Sequence, residues 1–310
     1  MENIQLGGTE KINPNSPAVQ RAIGSSVRIV DTPSSNSGQV TESGHLVDLS
    51  PAQMQALGLK PNDQVVLTDA HGVERAHGEI FVQGSNDAWY AARMVKLDDV
   101  RDLAYLKVEN LPPGVLPHVT IAQSDDLSPG EMVFSVGHVG DSSTISVNGT
   151  DYLGKTTKNA ELKRLGAVTG TGDQYDTEYQ GIINKLGALD GNDVSVDFNR
   201  PLNATPHIDA LGTSGGGLFN SKGELVSVLE AIENTPAQGR DLYTPLNQIQ
   251  AFQNEPQKFN FNYGTQPYQF SQSSPVINAP YLNSVQRTDG TNRPPMSIEE
   301  LVESKLTQNH

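Results

Sequence analysis

Leu211-Gly212-Thr213-Ser214-Gly215-Gly216-Gly217-Leu218-Phe219 is a serine set among glycines that runs directly into an apolar segment. A serine hydroxyl that attacks a carbonyl needs backbone N–H groups turned toward the developing oxyanion, and side chains crowd that approach. Gly212 and Ser214 are placed to supply those two donors. On its own, the same stretch reads equally well as a glycine-rich turn before a strand.

A hydroxyl is a weak nucleophile near neutral pH and requires an imidazole base, which in turn needs a carboxylate to orient it. Both stand upstream. Val66-Leu67-Thr68-Asp69-Ala70-His71 puts a histidine just after an apolar strand, and Asp102-Leu103-Ala104-Tyr105-Leu106-Lys107-Val108 puts an aspartate immediately before another. Asp98 and Asp99 compete for the orienting role, but they sit earlier in the loop, whereas Asp102 abuts the apolar run. The serine segment also satisfies the G-x-S-x-G pattern of α/β-hydrolases. That fold needs its acid and histidine downstream of the serine, and the one histidine after Ser214 is the terminal His310.

The three segments resemble the motifs of trypsin-like serine peptidases, most closely the bacterial Deg/HtrA type: L-T-x-A-H, D-L-A-x-L-K-V and G-N-S-G-G-x-L, with Thr213 in place of the usual Asn. Ser128 to Gly137, Gly223 to Val228 and Tyr243-Thr244-Pro245-Leu246-Asn247 are similar to further family segments, in the family's order. The resemblance spans residues 26–253. It implies an all-β fold of two six-stranded antiparallel β-barrels with short helices, barrel 1 over 26–120 and barrel 2 over 121–253. It also implies a serine endopeptidase with His71, Asp102 and Ser214 as its triad and Gly212 and Ser214 as its oxyanion hole. No PDZ-like segment follows the second barrel. The Thr213 replacement bears on the turn that sets the oxyanion hole, which leaves a latent or catalytically silent peptidase, acting as a peptide-binding or assembly module, as the alternative.

The residue pattern agrees with a β fold: short β-rich runs separated by Gly, Asp, Asn and Pro between residues 26 and 245. Expected strands are Val27 to Val30, Gln64 to Thr68, Glu79 to Val82, Ala88 to Leu97, Leu103 to Val108, Glu131 to Val136, Thr144 to Val147, Val194 to Phe198 and Leu225 to Leu229. Ser50-Pro51-Ala52-Gln53 is a capping box with proline at the first helical position, so a short helix is expected up to Gly58. A second is expected from Pro245 with Thr244 as cap, burying Leu246, Ile249 and Phe252. Residues 1–25 read as an N-terminal extension. Residues 254–295 form a polar Asn/Gln/Pro-rich tail, disordered or laid along the surface. Residues 296–310 form an amphipathic helix available to a partner or a second copy. Enlarged loops are expected around Asn148 to Gly191, because the interval from Asp102 to Ser214 is long.

With 36 acidic against 21 basic residues and no basic cluster, nucleic acid is not an expected partner; a protein or peptide substrate is. The absence of cysteine removes disulfides, thiolate zinc sites and a thiol nucleophile. No metal and no cofactor are expected: His71, Glu74 and His77 lack the spacing of one helical face, and Asp190-Gly191-Asn192-Asp193 reads as a polar turn. His45, His77, His118, His138, His207 and His310 read as structural or surface residues. Residues 1–25 lack the basic and apolar regions of a Sec signal, and no run approaches the roughly 20 apolar residues of a membrane span, so a cytoplasmic chain or one exported by a non-Sec route is expected. For the substrate pocket, Ile208 stands six before the serine and favours an apolar side chain; a one-residue shift would put Asp209 there instead. Leu229 and Glu230 complete the candidate pocket.

Overall fold

The computed structural model describes residues 4–7, 12–31, 41–74, 79–140, 144–157, 160–161, 200–210, 212–232, 239–268, 277–288 and 290. The expected strand at Val194 to Phe198, the calcium-like turn, most of the enlarged loop region and the C-terminal helix lie outside these residues.

The architecture is mostly β. Six strands close into an antiparallel barrel: β2 (Ser26–Val30), β3 (Thr41–Leu46), β4 (Gln64–Thr68), β5 (Ile80–Gln83), β6 (Trp89–Asp98) and β7 (Leu103–Val108), in the order β2-β3-β4-β7-β6-β5. Successive side chains of a strand point to opposite faces. Along β4, Val66 therefore enters the barrel core, whereas Val65 and Leu67 join a second cluster shared with the rest of the molecule. Along β7, Ala104, Leu106 and Val108 face inward while Leu103 and Tyr105 face that second cluster. Burial on both faces explains why these two strands are apolar without alternation.

The second half is one eight-stranded sheet built from β1 (Ile4–Gly7), β8 (Met132–His138), β9 (Ile145–Asp151), β10 (Gly154–Thr156), β11 (Leu202–Pro206), β12 (Gly217–Phe219), β13 (Leu225–Ile232) and β14 (Arg240–Pro245). Its order is β1-β9-β8-β12-β13-β14-β11-β10, so the six strands from β9 to β11 occupy the place of barrel 2 and β1 and β10 extend its ends. The strand β1 comes from the stretch read as an extension and pairs parallel with β9. The same stretch also supplies α1 (Pro17–Ser25), capped by Ser16, which buries Val19, Ala22 and Ile23.

Helix α2 (Pro51–Ala56) carries the reciprocal capping box of Ser50 and Gln53. A single turn, α3 (Ala70–Glu74), follows β4, and α4 (Leu246–Asn254) follows β14 and buries Leu246, Ile249 and Phe252. The expectation for the α4 cap needs correction. Pro245 is the N-cap, with no side-chain cap, because the Thr244 hydroxyl is engaged elsewhere, 3.0 Å from Arg101 O and 2.9 Å from Glu230 Oε2.

Of the two alternatives for the polar tail, its described part takes the one laid along the surface: β15 (Phe259–Tyr268) and β16 (Ile277–Arg287) pair antiparallel and lie over barrel 1. Phe259 is buried in the barrel 1 cluster, and the Tyr263 hydroxyl receives the Met94 N–H at 2.8 Å. Aromatic rings supply the burial that aliphatic residues do not.

Candidate active site

The end of β4, the start of α3 and the turn before β7 meet at one carboxylate. Asp102 Oδ1 accepts the N–H of Ala70 (3.0 Å) and of His71 (2.8 Å), while Oδ2 lies 2.7 Å from His71 Nδ1. Asp102 sits at φ 53°, a left-handed conformation that aspartate tolerates better than most residues. Asp98 and Asp99 are used elsewhere. Asp98 accepts the Val100 and Arg101 N–H groups and pairs with the Arg101 guanidinium, and Asp99 pairs with Arg287 at 2.8 Å.

Ser43, on β3, ties this corner to the serine loop. Its N–H donates to Ser214 O at 2.7 Å, its carbonyl accepts the Thr68 hydroxyl at 2.6 Å, and its hydroxyl lies 3.1 Å from Gly212 O. Two glycines are required by this closeness. At Gly215 (φ 76°) a Cβ would lie 2.2 Å from Ser43 O, and at Gly212 (φ 91°) a Cβ would lie 2.3 Å from Gly140 N. Thr213 closes its own turn, its N–H and its hydroxyl both donating to Ala210 O. The N–H groups of Gly212 and Ser214 make no hydrogen bond among the described residues.

The contact expected between Ser214 and His71 is different. Among the described residues no hydrogen bond joins Ser214 to His71. Instead His71 Nε2 lies 3.3 Å from Asp69 Oδ2, a side chain with no solvent exposure. Glu42 on β3 closes over the same corner, and the bare Cα of Gly72 makes room for it, since a Cβ there would come within 2.5 Å of Glu42 Cδ. Glu42, Asp69 and His71 bring donor atoms within 4.8 Å of one another. Burial of the ring works against its charged form, but Asp102, Asp69 and Glu42 outweigh it and hold His71 well above the ordinary histidine value. Sequence reasoning passed over Ser43 and Glu42, which lie in a strand too polar to stand out, and treated Asp69 as a spacer. The signal for Asp69 was its place two residues before His71.

The residues read as a substrate pocket have internal partners. Asp209 is buried, with Oδ1 receiving the Ser135 hydroxyl (2.7 Å) and the Asn148 amide (3.2 Å), and Oδ2 receiving the Tyr243 hydroxyl (2.5 Å). Ile208 is half-buried and donates its N–H to Asp241 Oδ2 at 2.8 Å. Leu229 is buried and pairs with the glycine loop, its carbonyl accepting from Gly215 N and its N–H donating to Gly216 O. Glu230 stands at the irregularity between Leu229 and Ala231, facing Arg200 and Thr244. Of the other histidines, His45 is buried between Ser25 Oγ and Val136 O, and burial lowers its pKa to about 4. Burial likewise lowers His138 to about 3. No helix among the described residues is long and apolar enough to cross a membrane.

A family model for the trypsin-like peptidase domain matches residues 58–228. Serine protease HTRA1 of Xenopus tropicalis is 28% identical over 167 residues, covering 54% of this chain and 28% of the relative. Putative serine protease HhoB of Synechocystis sp. is 28% identical over 190 residues, covering 61% of this chain and 36% of the relative. The chain thus spans about a third of the length of these curated relatives. A solved structure of Rv3671c from M. tuberculosis H37Rv, a mutant in an inactive form, superimposes with a TM-score of 0.50 at 18% identity, covering 78% of this chain and 94% of that one. That likeness bears on the fold.

Proposed function

On the premise that this chain belongs to the trypsin-like peptidase domain family, we propose that it is a serine endopeptidase that cleaves peptide bonds through an acyl-enzyme. Ser214 Oγ attacks the scissile carbonyl carbon and passes its proton to His71 Nε2. Asp102 holds the ring tautomer and stabilises the imidazolium, and the Gly212 and Ser214 N–H groups bind the oxyanion. Collapse breaks the C–N bond, and the amine leaves with the proton from His71. A water then repeats the sequence on the ester and frees Ser214.

The observation that carries this reading is the double grip of Asp102 on His71 together with a serine loop whose two relevant N–H groups make no hydrogen bond among the described residues. The buried hydrogen bonds of Asp209 and the ion pair of Glu230 support an uncharged primary pocket, since neither carboxylate is left to receive a guanidinium or ammonium.

The test is labelling by a fluorophosphonate probe, with and without Ser214→Ala, paired with turnover of an unfolded protein substrate. Labelling confined to Ser214, and a drop in kcat on the order of 10⁶ in the variant, are expected. A Ser214→Ala protein that turns over at the wild-type rate refutes the proposal. A wild type that neither labels nor cleaves at any pH favours the silent, peptide-binding alternative.

A further inference from the structure

We propose that Asp69 is a positioning residue that engages His71 Nε2 in the resting protein and holds the base away from Ser214, so that turnover begins only when this contact breaks. The inference deepens the serine-peptidase reading and rests on it. Both ring nitrogens face carboxylates: Nδ1 lies 2.7 Å from Asp102 Oδ2 and Nε2 lies 3.3 Å from Asp69 Oδ2. The Nδ1 contact is a hydrogen bond and the Nε2 contact an ion-pair approach without hydrogen-bond geometry. A carboxylate oxygen beside each nitrogen, able to accept and not to donate, is favourable only when both nitrogens carry protons. That species is the imidazolium, and an imidazolium has no lone pair for the serine proton.

The charged groups acting on the ring come from three elements: Glu42 from β3, Asp69 from the end of β4 and Asp102 from the turn before β7. All carry the same sign and favour the protonated ring. Asp69 is fully buried and cannot relax into solvent, whereas the ring keeps 26% of its side-chain surface exposed and can lose its Nε2 proton to water. Once that proton is gone, the Nε2 lone pair and the Asp69 carboxylate repel each other, and the Ser214 hydroxyl becomes the better partner. The proton leaves to solvent, the lone pair stays on Nε2, and the base is then competent. The backbone of Ser214 is held by Ser43 N at 2.7 Å.

The test compares the full chain with Asp69→Ala and Asp69→Asn. Histidine NMR, assigned with His71→Gln, follows the His71 titration directly, and fluorophosphonate labelling of Ser214 is followed from pH 5 to 9. In both variants the His71 midpoint and the pH midpoint of labelling should fall together. Near pH 7 labelling should rise about tenfold for each unit of that fall, with convergence on wild type at high pH. An unmoved His71 midpoint overturns the proposal, and if wild type still labels, the peptidase reading survives it. Labelling that drops equally at every pH also overturns it, since that is the mark of a merely structural residue. Absence of labelling in all three proteins, with the His71 midpoint lowered, leaves Asp69 as the holder of the ring and overturns the peptidase reading instead.

Discussion

One carboxylate grips one residue twice: Asp102 receives the backbone N–H of His71 at Oδ1 and approaches its Nδ1 at Oδ2. The first contact sets where α3 begins, and the second sets the ring tautomer. Asparagine keeps the shape and tolerates the left-handed φ, but it turns either a neutral oxygen or an NH₂ toward Nδ1. Asp102→Asn should lower kcat by roughly 10⁴ while leaving the far-UV spectrum unchanged. A variant within about tenfold of wild type would remove Asp102 from the mechanism.

The serine loop is held by the closeness of β3. Gly215→Ala places a methyl 2.2 Å from Ser43 O and 2.3 Å from Thr68 Oγ1, at a φ of 76° that disfavours any side chain. The loop must move away from Ser43, and the Ser214 carbonyl loses its donor. Unfolding free energy should fall by about 1–3 kcal/mol, read from urea midpoints, and probe labelling should fall with it. Retained labelling at wild-type stability would show that the contact does not position the nucleophile.

The legible parts of the fold were those where burial speaks through apolar runs. Gln64–Thr68 and Leu103–Val108 are covered on both faces, and their continuous hydrophobicity announces them. Thr41–Leu46 reads Thr-Glu-Ser-Gly-His-Leu and carries no such run, yet it supplies Glu42 and Ser43, because its polar groups are satisfied by tertiary contacts that local sequence cannot encode. The hairpin at Phe259–Tyr268 did leave a trace: Phe259, Phe261 and Tyr263 alternate with asparagines at the period of a strand. Counting aliphatic residues hid it. His71, Asp102 and Ser214 draw attention in the sequence because each borders a recognisable strand, whereas the role proposed for Asp69 follows from its depth of burial.

The pair Asp209 and Asp241 gives stability a pH signature. Burial, then the Asp209 charge, pushes Asp241 up to about 6. A carboxyl whose folded pKa exceeds its unfolded value near 3.9 contributes stability that is full below about pH 4 and is lost as pH rises through about 6. The loss is on the order of 2–3 kcal/mol for this group. Asp209→Asn removes the neighbouring charge and can still accept from Ser135 and Asn148. The variant should therefore lose less stability than wild type between pH 4 and 6 in urea titrations. It should also leave cleavage preference unchanged on a peptide library, with no Arg or Lys favoured before the cut. A basic preference in wild type that Asp209→Asn abolishes would place Asp209 in the pocket after all.

Glu230 and Arg200 form a buried ion pair joined by Thr244, whose hydroxyl also reaches Arg101 O, one residue before Asp102. Removing one partner strands a charge in the interior, so Glu230→Ala should cost about 3–5 kcal/mol, whereas joint replacement of Glu230 and Arg200 by methionine should recover most of that loss. The same network positions the turn that carries Asp102. Glu230→Ala should therefore depress kcat more than KM, even when assayed well below its unfolding temperature. If the single variant is as stable as wild type, the pair is solvated and does not support the turn; if KM alone rises, Glu230 contacts substrate rather than Arg200.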